Sequence, residues 1–95
     1  MEYNVNHDVD GGRFWIHLED KDMGVLLYER DGDVLDLYHT EVPPAYRGKG
    51  VAAHLAQAAF KYIQQNNLKM ILTCTYLQHH HTSKLQNKYT DYVVK

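Results

Sequence analysis

The sequence predicts an α+β fold with a mixed sheet, in which a four-stranded antiparallel meander joins a parallel fifth strand through a loop and one helix, and a C-terminal helix follows. Three observations carry this expectation. Apolar residues alternate with polar ones at period two as far as Val42; Pro43 and Pro44 interrupt that pattern; and from Val51 the apolar spacing becomes helical.

Taken in order, Tyr3, Val5 and His7 alternate with Asn4 and Asn6, Asp10 to Gly12 supply turn chemistry, and Phe14, Ile16 and Leu18 alternate with Trp15 and His17. After a charged link from Glu19 to Asp22, Gly24 to Glu29 reads as a third strand, Asp31 and Gly32 as a turn, and Val34 to Val42 as a fourth strand. Neither proline can donate a ladder hydrogen bond, so the strand stops there and a loop, Ala45 to Gly50, follows. In the next segment Leu55, Ala59, Tyr62 and Ile63 share one face, Ala52 and Ala56 widen it, and Gln57, Lys61 and Gln64 lie outside it. This predicts a helix of about four turns ending near Asn66 and Asn67. Lys69 to Thr75 reads as a short strand, parallel to its neighbour because the helix serves as the crossover. A weaker stripe (Tyr76, Leu77, His80, Lys84, Leu85 and Tyr89) predicts a helix from about Thr75 to Gln86, after which Tyr89, Tyr92, Val93 and Val94 pack back on the sheet.

The 95 residues suit one domain, and 44% apolar with 23% charged residues excludes fibrous and disordered classes. The net charge of -2 conceals a division: residues 1 to 41 hold eleven acids and three bases, whereas residues 42 to 95 hold seven bases and one acid. An anion site is therefore expected after residue 41, although a pI near 6.3 argues against a dedicated nucleic-acid binder. The single cysteine, Cys74, excludes an internal disulfide and any zinc site built on two thiolates. The acidic, polar start and the absence of a long apolar run read as a soluble intracellular protein, cytoplasmic or nuclear, with no membrane partner.

Arg47 to Ala52, RGKGVA, falls between the proline-stopped strand and the helix. Two glycines permit close backbone approach, a helix start offers unpaired N–H groups, and Arg47 and Lys49 add positive charge, so the segment suits a phosphate or pyrophosphate. The bland alternative is a tight turn with solvated cations. It is not a P-loop, because Gly50 follows Lys49 where Ser or Thr is needed, nor a dinucleotide fingerprint, because Ala53 stands in place of the third glycine.

Arg47, Gly50 and Ala52 also fit the pyrophosphate loop of the GNAT (Gcn5-related N-acetyltransferase) superfamily: Gln or Arg, two variable residues, Gly, one variable residue, then Gly or Ala. The runs DLYHTEVPPAYRGKGVAAHLAQAAF and LKMILTCTY resemble the very small single-domain members of that superfamily. The resemblance implies a minimal GNAT fold, with residues 1–95 as a single N-acetyltransferase-like domain that uses acetyl-CoA as acyl donor. It further implies that the fourth strand splays from the fifth, so that the backbone of Thr40, Glu41 and Val42 meets the pantetheine arm of coenzyme A. The pyrophosphate would then lie on the amides of Gly48, Lys49, Gly50, Val51 and Ala52, beside the Arg47 and Lys49 charges. Two departures stand out: the chain lacks the helical segment that larger members place between their first strands to hold the acceptor, and it lacks their usual Asn and Tyr spacing after the fifth strand.

Acetyl transfer needs a deprotonated amine, donors for the developing oxyanion and a proton for the departing thiolate. His39 is a candidate base at neutral pH, or else a strand histidine satisfied by a neighbour; Glu41 shares its strand face and is the other candidate. Tyr76 is a candidate proton donor or a packing tyrosine. Cys74 reads as an acetylated nucleophile, as a residue lining the thioester tunnel, or as a buried small hydrophobe. His79, His80 and His81 point about 100° apart on a helix and cannot share a metal, so no metal site is expected. The acidic first half, with Trp15 and its tyrosines, reads as core and sheet surface rather than a base-stacking platform. Two functions follow as expectations. One is an acyltransferase acting on a primary amine, a protein lysine or small polyamine, in an open cleft whose acidic surroundings attract it. The other is a non-catalytic CoA- or acyl-CoA-binding regulatory module. A monomer or weak dimer is expected of either.

Overall fold

Turn chemistry and strand alternation build the first half as expected. The computed structural model describes residues 3–19 and 22–94; Asp20 and Lys21 of the charged link lie outside the described residues. Strands β1 (Asn6–Asp8), β2 (Arg13–His17), β3 (Met23–Asp31) and β4 (Val34–Glu41) form the antiparallel meander, and β5 (Lys69–Leu72) adds in parallel to β4, giving the order β1-β2-β3-β4-β5. The crossover is helix α1 (Val51–Gln65), and helix α2 (Thr75–Ser83) follows β5.

The alternation of β2, β3 and β4 sends Phe14, Ile16, Leu26, Tyr28, Leu35 and Leu37 to one face, where α1 covers them with Val51, Leu55, Ala56, Ala59, Phe60 and Ile63. Leu77 of α2 and Tyr89 complete the same core, and the Phe60 ring meets both His81 and Tyr89. Gly24 lets α1 approach this closely: a Cβ there would come within 2.7 Å of the Val51 side chain, so the first turn of the helix rests directly on β3. The other end of α1 stops at the asparagine pair, as predicted. Asn67 takes the left-handed conformation (φ 54°), its N–H bonds the Gln64 carbonyl, and Leu68 N–H reaches back to Ile63 at 2.9 Å. These are the two bonds of a Schellman stop.

Strands β2 and β4 differ from expectation by one residue, β4 ending at Glu41 before Val42, and four other elements differ at their boundaries. Strand β1 begins at Asn6 rather than Tyr3, because Tyr3 leaves the ladder and its hydroxyl bonds the Lys49 carbonyl at 3.4 Å. Strand β3 is longer than predicted, running to Asp31 with Val34 opposite. Strand β5 ends at Leu72 rather than Thr75: Cys74 N–H makes one last bond to the Leu37 carbonyl at 3.0 Å, and Thr75 begins α2. Helix α2 ends at Ser83 rather than Gln86, since Gln86 and Asn87 both adopt positive φ. The chain then returns to the sheet as expected, with Val93 bridging Met70 and Val94 N–H bonding the Met70 carbonyl at 2.8 Å.

Both helices lie on one face of the sheet. On the other, Trp15, Val25, Leu27 and Val34 stay half-buried and His39, Glu41 and Ile71 exposed.

Candidate functional site

One irregularity creates the site. Leu27 pairs with His39 but Tyr28 pairs with Leu37, so Tyr38 is an extra residue, a bulge in β4. Up to Leu37 the odd-numbered residues of β4 face the helices. Unbroken alternation would bury His39 and Glu41 with them; the bulge shifts both to the helix-free face, opposite Leu27 and Val25, and brings Thr40 opposite Leu26. Strand β5 pairs with β4 only up to Leu37, opposite Leu72. Beyond the bulge the two strands part.

The gap is a cleft of about 510 Å³, within the size range of small-molecule sites. Strand β4 lines it with His39, Thr40 and Glu41, Val42 follows directly, and Tyr76, at the start of α2, contributes from the opposite bank. The loop contributes Tyr46, Arg47, Gly48 and Gly50, and the first turn of α1 contributes Val51, Ala52 and Ala53.

Local chemistry fixes the loop. Tyr46 N–H bonds the Pro43 carbonyl at 2.9 Å, Lys49 N–H bonds the Tyr46 carbonyl at 3.3 Å, and the Tyr46 hydroxyl accepts the Glu19 N–H at 3.2 Å. Gly48 and Gly50 hold φ of 79° and 84°, a left-handed conformation costly for any residue with a Cβ. Gly50 is the N-cap of α1 and has no side chain with which to bond the first-turn amides; His54 N–H bonds the Gly50 carbonyl at 3.1 Å, and helix geometry leaves Val51, Ala52 and Ala53 N–H without an intrahelical acceptor. No acid stands in that turn. Donors and helix dipole thus open on the cleft that Arg47 also lines, an arrangement that favours an anion.

At the other end the groups are acid–base in character. His39 Nε2 stands 3.9 Å from the Glu41 carboxylate, both exposed. Cys74 is half-buried and its Sγ donates to Thr40 Oγ1 at 3.5 Å. Burial first, and then the Cys74 sulfur, push the Tyr76 hydroxyl above its ordinary pKa of 10, so it keeps its proton at neutral pH. The Tyr76 ring stacks on His80 at 5.7 Å. His80 is 6% exposed and its Nε2 lacks a hydrogen-bond partner; burial above all, then the charges of Lys84, His81 and His79, hold it below the ordinary histidine range.

Of the residues singled out from sequence, His39, Glu41, Tyr76, Thr40, Val42, Arg47, Gly48, Gly50, Val51 and Ala52 line the one cleft. Lys49 adjoins the cleft through Tyr46, its ammonium 5.9 Å from that ring's centre, and Cys74 adjoins it through Thr40. Tyr46 and Ala53 were missed. Ala53 could have been included by extending the helix start one residue, whereas no periodicity marks Tyr46. Among the described residues no group of three or more His, Cys, Asp or Glu is placed to hold a metal, and no helix is long and apolar enough to cross a membrane.

A strand pair that parts at a bulge, opening beside the uncapped start of a crossover helix, is the architecture of a mixed-sheet α+β family, and comparison names that family. Residues 13–92 match the model of the GCN5-related N-acetyl-transferase family, and the chain belongs to that family. It is 49% identical over 76 residues to Protein NATD1 of Gallus gallus and of Mus musculus, covering 78% of this chain and 69% of each relative. The NATD1 of Danio rerio is equally similar, 49% identical over 76 residues with the same coverage. The solution NMR structure of a GCN5-like protein from Staphylococcus aureus shares the fold, with a TM-score of 0.68 at 24% identity, over 96% of this chain and 87% of that one.

Proposed function

We propose that this chain is a single-domain acetyl-CoA-dependent N-acetyltransferase that acetylates a primary amine. The observation that carries the reading is the parting of β4 from β5 at Leu37, which opens the cleft between an anion-binding helix start and a proton-bearing Tyr76. The residues fit coenzyme A. The free amides of Val51, Ala52 and Ala53 and the Arg47 charge suit its pyrophosphate, and the edge of β4 at Thr40 and the Val42 that follows the strand, where β5 no longer pairs, suit the amides of its arm.

When bound, the cofactor would supply an acetyl thioester as acyl donor, so that forming the nitrogen–carbon bond and breaking the carbon–sulfur bond would need one proton taken from the amine and one given to the sulfur. His39 and Glu41, exposed at the mouth of the cleft, take the proton from the arriving amine, directly or through water. Tyr76 holds its proton through the neutral range and gives it up on the sulfur side. Cys74, donating to Thr40, acts as a wall of the acyl site rather than a nucleophile.

Thermal melts with coenzyme A and thiol release with acetyl-CoA and amines test this together. Coenzyme A should raise Tm, less so for Arg47→Ala, and Tyr76→Phe should lose at least about tenfold in kcat with binding retained. Undiminished turnover in Cys74→Ala would agree with direct transfer, and an acetyl adduct on Cys74 by intact mass would overturn it. A raised Tm without thiol release from any amine would leave a CoA-binding regulatory module. No effect of coenzyme A on Tm would remove both readings.

A further inference from the structure

We propose that the acceptor is a lysine in a cationic, partly apolar polypeptide segment that lies across the helix-free face of the sheet and delivers its amine past Glu41 and His39 into the cleft. This rests on the acetyltransferase reading above and adds the substrate class. Strand register sets what that face presents. Trp15, Val25 and Glu41 form one cross-strand row, and Arg13, Leu27 and His39 the next. A half-buried apolar strip therefore runs from β2 to the two residues that line the mouth of the cleft. Surfaces of this kind, apolar and bordered by charge, accept polypeptide better than a small polar amine does.

Charge selects the partner. Glu29 and Asp36 stand directly opposite each other on this face, a like-charge pair that costs folding stability; Asp36 accepts a hydrogen bond from the Thr73 hydroxyl, which brings no positive charge, and Asp31 lies beyond. Among the described residues neither cation of this face forms an ion pair with Glu29 or Asp36: Arg13 pairs with Asp8 at 3.4 Å, and the Lys69 ammonium, still charged, turns to the Asp91 carbonyl at 2.8 Å. Two copies laid face to face would bring like charges together, so a second copy is disfavoured. A segment with basic side chains beside apolar ones satisfies both features.

Trp15 is the only tryptophan and lies on this face, so its fluorescence reports docking without turnover. The probe is a short synthetic peptide carrying one lysine flanked by arginine and leucine, compared with Nα-acetyl-lysine amide and with spermidine. The peptide should change Trp15 emission, more weakly at high salt, and exceed the single lysine by about tenfold or more in kcat/KM. Glu29→Lys should erase that advantage while leaving the rate on the single lysine unchanged; Leu27→Thr, a β-compatible change, should reduce it in the same way. Equal use of peptide and single lysine, preference for spermidine, concentration-dependent dimerisation through this face, or a peptide advantage that survives both variants would overturn the inference while leaving the transfer reading intact. A salt-sensitive Trp15 response with no thiol release from any amine would uphold the docking surface and sink the transfer reading instead.

Discussion

The two faces of one sheet follow different rules. The helix-covered face buries Phe14, Ile16, Leu26, Leu35, Leu37 and Met70 almost completely against α1 and α2, while the same strands leave Trp15, Val25, Leu27 and Val34 half-exposed on the other face. Stability is concentrated on the first face, and the recognition chemistry proposed above lies on the second. The cleft forms at the boundary between them, where β4 changes which side it shows. A small domain has material for only one core, and among the described residues the second face stays partly solvated.

That contrast breaks most sharply in the core. Phe60→Ala should cost about 3–5 kcal/mol in urea unfolding, whereas Val25→Thr on the open face should cost under about 1 kcal/mol; comparable losses would mean that the open face is covered. Next in size is Gly24→Ala, whose new Cβ would meet Val51 at 2.7 Å and Leu55 at 3.6 Å. It should cost about 1–3 kcal/mol by overpacking and, by displacing the start of α1, weaken the Tm shift given by coenzyme A.

Acid should act on the covered face. Burial lowers His7, His80 and His81 from the ordinary 6.5, so the unfolded chain binds protons that the folded one refuses. Their contribution is complete above pH 6.5 and is lost as pH falls through the lowered folded values. Melting temperature should hold from pH 8 to 7 and decline below about 6.5, less steeply in His80→Leu, which removes a titrating group from the covered side. The smallest effect belongs to the open face: Glu29→Gln relieves the repulsion from Asp36 and should gain about 0.2–1 kcal/mol, a gain that shrinks in salt. A loss there would mean that Glu29 has a compensating partner.

Sequence and structure agree most closely where the physics is local. The buried stripe of α1 and its stop at Asn67 depend on residues within a few positions of each other, as do the turns at Gly11 and Gly32, and all were legible. The loop was legible because its glycines and Arg47 sit next to a change of period. The position of the Lys49 ammonium over the Tyr46 ring is not legible in the sequence, and neither is the place of Tyr46 itself, because its anchor is Glu19, far away in sequence.

By itself, then, the sequence determined the meander, the crossover, the cationic loop at a helix start, and the residues His39, Glu41, Cys74 and Tyr76 near the strand ends. Tertiary structure alone decided that Tyr38 bulges, that β5 stops pairing at Leu72, and hence that His39 and Glu41 face the open side of the sheet rather than the core. The reason is physical. Period and turn preference are set by neighbours along the chain, but a bulge exists only relative to the register of a partner strand, and one extra residue reverses the face of everything that follows.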